Sequence, residues 1–448
     1  MELSPEFISQ MEGLIGLEAC GKLASAICST PAETSIRFNP DKSGFSTDYL
    51  PLESRVPWSE NGWYLRERPH FTLDPLLHAG CYYVQEASSM FVEHALKQIL
   101  DGPVTMLDLC AAPGGKSTLA ASILPEGSIL VANEIQRSRA QILAENLVKW
   151  GNDNVIVTCN TPAQIGASGL QFDIMLTDVP CSGEGMFRKD DVAIQDWSPE
   201  AVEMCASRQR DILRDVWAAL KPGGHLIYST CTFNSREDEE NVEWICSELG
   251  ASPVDISHPE GLGIISAYKG HDIPCFHFLP GNTRGEGFFL AVLKKDNGYC
   301  GPVKTAAVKD EKEHHSIVCP DYDCIIEKKG DSLIAMPSLM ANQMKAISQR
   351  LYPLVCGIEV ATFKGHDLAP AHALALSGKA SGCFPRVELT LEKALDYLHG
   401  EVLRFEDQPK GYLIVTYRNY PLGFVKNLGN RANNLYPSQW RIRKITTI

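Results

Sequence analysis

At 448 residues, with 44% hydrophobic and 21% charged residues, the chain has an ordinary globular composition and enough length for two or three cores. No apolar run reaches membrane-spanning length, and the acidic start MELSPEFISQMEG has no cationic segment ahead of an apolar one; neither a spanning helix nor a secretory signal is expected, and a cytoplasmic location is. A net charge of −14 argues against indiscriminate adhesion to nucleic acid, and fifteen cysteines, odd in number and without a CxxC, argue against a disulfide framework.

In chain order, residues 1–75 open with SPEFISQMEGLIGLEACGKLASAI, apolar at helical spacing, and continue through a proline-rich stretch; they predict a small leading domain. Residues 76–296 alternate apolar runs with helical patterns. VTMLDLC (104–110), SILVANE (128–134), NVIVTC (154–159), FDIMLTDVP (172–180) and HLIYSTC (225–231) predict buried strands. Helical patterns cover 117–124, 136–150 and 201–220. This alternation predicts an α/β fold with a mostly parallel, Rossmann-like sheet, and GFFLAVLKK (287–295), which has no long helix before it, predicts an antiparallel closing strand. Residues 297–316 are charged and broken by Gly and Pro, as a linker is, and 317–448 predict a separate α+β region with two hairpins. Across the boundary between the two, His314 to Cys324 (HHSIVCPDYDC) match no common zinc spacing, and no metal is expected.

In an open parallel sheet, ligands bind at the carboxyl ends of the strands. The first strand of the central domain runs into DLCAAPGGKST (108–118): Cys110, two small residues (Ala111 and Ala112), a proline turn at Pro113, Gly114 and Gly115 for close backbone approach, then Lys116 opening a helix. The spacing is neither a phosphate-binding GxxxxGK[ST] nor a GxGxxG. The next strand ends in Glu134, where a carboxylate can hold ribose hydroxyls. A nucleoside cofactor without a phosphate cradle is implied, and S-adenosylmethionine fits.

Two further strand ends bear thiols. TDVPCSGEG places Asp178 and Cys181, and STCTFN places Cys231, at the same edge. Carbon 5 of a cytosine is too electron-poor to attack a methyl group. A thiolate that adds to carbon 6 turns the ring into a nucleophile at carbon 5, and this covalent step needs a thiol, an acid for the polar edge of the base and a second group near carbon 5. Cys231, Asp178 and Cys181 are of those types. A helix beginning near Asn234 or Ser235, marked by the S-x-x-D of Ser235 and Asp238, would favour the Cys231 anion provided that Glu237 to Glu240 face away. Arg188 and Lys189 supply positive charge for the site or for RNA phosphate. From Gly411 to Ile448 there is no acid, whereas Arg418, Lys426, Arg431, Arg441, Arg443 and Lys444 are basic, a footprint for phosphate. Tyr417, Tyr420, Phe424, Tyr436 and Trp440 lie among them as stacking candidates or core.

These motifs carry a resemblance. DLCAAPGGKST, DVPCSGEG and STCTFNSREDEENV, together with SIRFNP, YYVQEASSM and GEGFFLAVL, resemble in content and order the RNA 5-methylcytosine methyltransferases of the NOL1/NOP2/Sun family. FKGHDLAPAHALALS and GFVKNLGNRANNLYPSQWRIR resemble the C-terminal region of its bacterial RsmF branch, which modifies small-subunit ribosomal RNA. The resemblance implies a class I methyltransferase fold and a PUA-like RNA-binding tail. It also implies that Cys231 attacks carbon 6 while Cys181 assists proton removal or product release. Cys110 to Lys116 would cradle S-adenosylmethionine, Glu134 would hold its ribose, and Asp178 would sit between cofactor and base. RNA contacts would come from Arg188, Lys426, Arg431, Arg441 and Arg443. The sequence departs after the third strand, where the family usually has an acid at the adenine end; here Asn160 falls near that place, with Cys159 and Thr161 as alternatives. The implied partner is 16S ribosomal RNA or the small subunit, acted on by a monomer. A transfer RNA substrate and a non-catalytic assembly factor are the other readings.

Overall fold

The computed structural model describes residues 3–302, 305–365 and 367–443, so Lys444 of the basic tail lies outside the described residues. The leading helical stretch is two helices, α1 (Pro5–Ile15) and α2 (Leu17–Ser29). Ser4 caps the first by accepting the Phe7 N–H at 3.1 Å, and Gly16, at φ 82, turns the chain directly into the second. An antiparallel sheet follows, β1 (Thr34–Phe38), β2 (Leu52–Arg55), β3 (Gly62–Leu65) and β4 (Tyr82–Val84), in the order β2-β3-β1-β4. The leading unit therefore runs past the expected boundary at residue 75.

This unit is joined to the central domain by buried polar bonds. Arg37 is 2% exposed; its guanidinium donates to Gln85 Oε1 at 2.8 Å and Thr118 Oγ1 at 2.7 Å and stacks on Trp150 at 4.6 Å. Asn39 donates to the carbonyls of Gly80 at 2.9 Å and Trp150 at 3.0 Å. SIRFNP thus reads as a seam, because each of its two long polar side chains ends on groups that burial would otherwise leave unpaired.

The central sheet contains β5 (Thr105–Asp108), β6 (Ile129–Asn133), β7 (Val155–Thr158), β8 (Phe172–Asp178), β9 (Leu220–Thr230), β10 (Ala251–Pro253), β11 (Phe276–Phe278) and β12 (Phe288–Lys295). Its order is β10-β12-β9-β8-β5-β6-β7, with β11 also paired to β12. β5 to β9 are parallel, and β12 runs antiparallel to β9, as expected. From β5 the sheet grows through β6 and β7 on one side and then through β8 and β9 on the other, and this switch in strand order opens a crevice at the carboxyl ends of β5 and β8. The strand interiors are apolar on both faces because helices cover both: Leu107, Val131, Ile156 and Leu226 face one core, and Met106, Leu130, Val157 and Ile227 the other.

The C-terminal region is less separate than the sequence suggests. Pro353–Cys356 pairs antiparallel with β7 and completes the central sheet, and the helix Ala341–Ser348 buries Met344 and Ile347 in the same core. Both expected hairpins form: Cys324–Lys329 with Ser332–Pro337, and Gly411–Tyr417 with Tyr420–Asn427. Among the described residues no helix is long and apolar enough to cross a membrane.

Asn39→Ala would leave two buried carbonyls unpaired and is expected to cost about 2 kcal/mol. Tryptophan fluorescence in a denaturant titration reads this as a lower midpoint; an unchanged midpoint contradicts the seam.

Candidate active site

The turn after β5 is fixed by backbone bonds to the neighbouring strands: the Leu109 N–H donates to the Leu176 carbonyl and the Ala111 N–H to that of Asn133. Gly114, at φ 116, takes a left-handed conformation that other residues adopt only under strain, and it starts the helix Gly115–Ile123. The turn forms one wall of a cavity of about 490 Å³. Cys110 to Pro113, Gly115 and Lys116 line it, together with Asp108, Asp178, Cys231, Glu286 and Phe288 and with Tyr83 to Glu86 of the leading domain. Gly114 itself backs onto Leu143 and Asn146, so it shapes the turn rather than the wall.

Three charged groups set the character of the cavity. Asp108 is fully buried; one oxygen accepts from Ser117 at 2.6 Å and the other has no partner among the described residues. Burial, opposed by the Ser117 bond and by Lys116, raises its pKa to about 7. Lys116 pairs with Asp178 at 2.8 Å and lies 5.2 Å from the centre of the Phe288 ring. Burial disfavours that ammonium, yet Asp178 keeps its pKa above the usual value.

The two thiols meet. Cys181 Sγ and Cys231 Sγ are 3.0 Å apart, each partly exposed. The hydrogen bond to Cys231, and then burial, push the Cys181 thiol well above its ordinary value, so Cys181 keeps its proton. The loops bearing them are locked together: the Gly185 N–H donates to the Cys231 carbonyl at 2.9 Å. A Cβ at Gly185 would come 2.6 Å from the Gly287 carbonyl and 2.9 Å from that of Cys231, so the approach requires glycine.

The helix after Cys231 begins later than expected, at Glu239, and its first six residues give way to a wider turn at 245–250. Asn234 caps a turn instead, its Oδ1 accepting the Glu237 N–H at 2.9 Å. The acids do not face away. Glu237, Asp238 and Glu239 are fully buried. Glu237 accepts from the Ser182 N–H, Gln209 and Asn234, and Asp238 from Thr230. Glu239 accepts from His277 and the Tyr268 N–H. Burial raises the Glu237 pKa to about 7 and holds Asp238 well above the carboxylate range. Cys275 brings a third donor atom within 4.8 Å of those of Glu239 and His277, in a buried group where one Glu239 oxygen bonds the imidazole at 2.9 Å.

The remaining expected residues divide. Glu134 is buried behind Arg139, which is 3.4 Å away and also donates to the Ala112 carbonyl, so a ligand reaching Glu134 displaces Arg139. Asn160 is not available in the way expected. Its Oδ1 accepts the Tyr352 N–H at 3.0 Å and its Nδ2 faces Gln164, because this strand end seats the C-terminal region. Arg188 is also spent internally, on Glu286 at 2.9 Å, the Gly285 carbonyl and Thr30; it holds the cavity wall rather than presenting a cation to RNA. In the tail Arg431, Arg441 and Arg443 are exposed, whereas Lys426 faces Asp367 at 3.8 Å. Phe424 and Tyr436 are core, which removes them as stacking platforms. Asp108, Glu184 and Glu286 were missed as site residues. The only signal for each was an acid inside a glycine-rich or strand-end motif.

Three family models match in succession: the N-terminal domain of 16S rRNA methyltransferase RsmF over residues 3–87, 16S rRNA methyltransferase RsmB/F over 99–294, and the methyltransferase RsmF PUA domain over 384–442. A ribosomal RNA small subunit methyltransferase F of Aliivibrio fischeri is 32% identical, with 92% of each chain covered. The chain belongs to the RsmB/F family. Its namesake from Escherichia coli O81 is 31% identical over 92% of this chain and 91% of its own. Among solved structures, a methyltransferase homolog from Pyrococcus horikoshii superposes with TM-score 0.54 at 26% identity, covering 65% of this chain and 95% of that one. NSun6 from the same organism, with SFG, gives 0.53 at 20% identity over 66% and 99%, a likeness of fold. The resemblance read from the motifs is thereby confirmed, as is the mostly parallel methyltransferase sheet with an N-terminal domain and a PUA domain.

In this RsmB/F protein the proton on Cys181 is held chiefly by Cys231. Iodoacetamide near neutral pH is therefore expected to modify Cys231 and spare Cys181, and Cys231→Ala is expected to speed labelling of Cys181. Peptide mapping that finds Cys181 equally slow in the variant contradicts that cause.

Proposed function

We propose that the protein methylates carbon 5 of cytosine in 16S ribosomal RNA with S-adenosylmethionine, through a covalent bond from Cys231 to carbon 6 of the base. The observation that supports this best is the pair of sulfurs 3.0 Å apart, one of them on the wall of the cavity that the turn after β5 also lines. The cavity suits the cofactor in kind. The unpartnered Asp108 oxygen is an acceptor for an ammonium, Cys110 to Ala112 give a small-residue wall for a flat nucleoside, and the turn lacks a phosphate-binding spacing. When bound, S-adenosylmethionine supplies an electrophilic methyl group on a sulfonium.

The chain's own residues have distinct tasks. Cys231 Sγ adds to carbon 6, which loads electron density onto carbon 5. Asp178, fixed by Lys116 and by Ser229 at 3.1 Å, offers carboxylate oxygen to the amino edge of the base. Phe288 supplies an apolar face beside the Lys116 ammonium. After methylation the carbon 5 proton passes to solvent water, the electron pair of that bond rebuilds the 5,6 double bond, and the bond from carbon 6 to Cys231 breaks with its pair on sulfur. Cys181, beside Cys231 and carrying its proton, is placed to relay one to the departing thiolate. Exposed Arg431 and Arg441 of the PUA domain, with Arg443 just beyond it, hold RNA phosphate.

Cys231→Ala is expected to abolish transfer, and Cys181→Ala to leave enzyme covalently trapped on RNA, visible as a slow-migrating band in a denaturing gel. Full activity of Cys231→Ala contradicts the assignment. Bisulfite sequencing of RNA from a deletion strain is expected to lose a signal in 16S ribosomal RNA; loss from transfer RNA alone contradicts the substrate. Asp108 ionises as pH rises through about 7, so cofactor affinity measured by calorimetry should strengthen across that interval. Asp108→Asn should flatten the profile; an identical slope in the variant excludes Asp108 as the ammonium partner.

A further inference from the structure

Glu184 has no task in the reaction just described, yet its carboxylate accepts five hydrogen bonds beneath the nucleophile. It is fully buried. One carboxylate oxygen accepts from Thr232 Oγ1 at 2.7 Å and from the Phe233 N–H at 2.7 Å, the two residues that follow Cys231. The other accepts from Asn234 Nδ2 at 3.1 Å, Trp197 Nε1 at 3.0 Å and Gln10 Nε2 at 3.0 Å. All five donors are neutral. Gln10 belongs to α1, and the same helix packs Phe7 on Phe187, Trp197 and Phe233, with ring centres 5.2, 5.6 and 6.4 Å away. The backbone after the nucleophile is thus pinned by one carboxylate whose remaining bonds lead to the leading domain.

We propose that Glu184 is a positioning residue for Cys231, and that Gln10 extends this control to α1, so that the leading domain helps to set the attack geometry as well as forming part of the fold. The inference rests on Cys231 being the nucleophile. A carboxylate is specifically required. An amide nitrogen in place of either oxygen would face a donor that cannot reverse, the Phe233 N–H on one side or the Trp197 indole on the other. The loop would shift, and a misplacement of about 1 Å in an attacking group costs about 10²-fold in rate.

The test uses the full chain with Glu184→Gln, which preserves shape, and Gln10→Ala, which removes the hydrogen bond from α1 to Glu184 and leaves the Phe7 packing in place. Three quantities are measured: kcat on ribosomal RNA, S-adenosylmethionine affinity by calorimetry, and the pH profile of Cys231 alkylation. The expected result is a fall in kcat of about 10²-fold for Glu184→Gln and about tenfold for Gln10→Ala. Cofactor affinity should be unchanged, and the alkylation profile displaced in both variants. Wild-type kcat in Glu184→Gln overturns the proposal. So does a loss of kcat matched by an equal loss of cofactor affinity, or an alkylation profile that does not move. Activity retained by Cys231→Ala is a separate result, which removes the nucleophile assignment whatever Glu184 does.

Discussion

Two adjacent parallel strands end in loops that must almost touch. β8 delivers Asp178 and Cys181; β9 delivers Cys231; the sulfurs stand 3.0 Å apart only because Gly185 lets the first loop lie against the carbonyl of the second. Every other part of the site is arranged around that approach. The switch in strand order between β5 and β8 opens the crevice, the turn after β5 walls it, and the leading domain helps to line it.

The same contact explains an unusual feature, a dense group of buried acids under a site that uses a thiolate. Glu184, Glu237, Asp238 and Glu239 are all fully buried within a few residues of Cys231 in sequence or space. Unscreened negative charge there would disfavour the thiolate. The structure answers in two ways. Glu184 and Glu237 are surrounded by donors, and Asp238, with its raised pKa, is held toward the neutral form. The acids serve as rigid acceptors that fix loops in place.

Much of this was legible in the sequence. The five parallel strands, the closing antiparallel strand and the order of the motifs follow from apolar periodicity and strand-end chemistry, which local sequence encodes directly. The seating of Tyr352 on Asn160 and the strand Pro353–Cys356 on β7 were not legible, since they depend on a segment almost 200 residues away that shows no unusual pattern. Arg188 was misplaced for a related reason. A cation in a glycine-rich loop reads as a phosphate ligand, and nothing local reveals that Glu286, on a distant segment, takes it up. Ser235 and Asp238 form a capping signature that lost to Asn234, whose side chain closes a turn first. Buried polar networks are long-range in sequence, so motif reading finds their members without their partners.

The most direct measurement is to trap the protein on ribosomal RNA containing 5-fluorocytosine in the presence of S-adenosylmethionine. Fluorine cannot leave as the carbon 5 proton does, so the bond from sulfur to carbon 6 persists, and mass spectrometry of the digested complex locates it. The nucleotide is predicted on the peptide bearing Cys231. Attachment at Cys181, or no adduct from a protein that methylates the natural RNA, would contradict the mechanism.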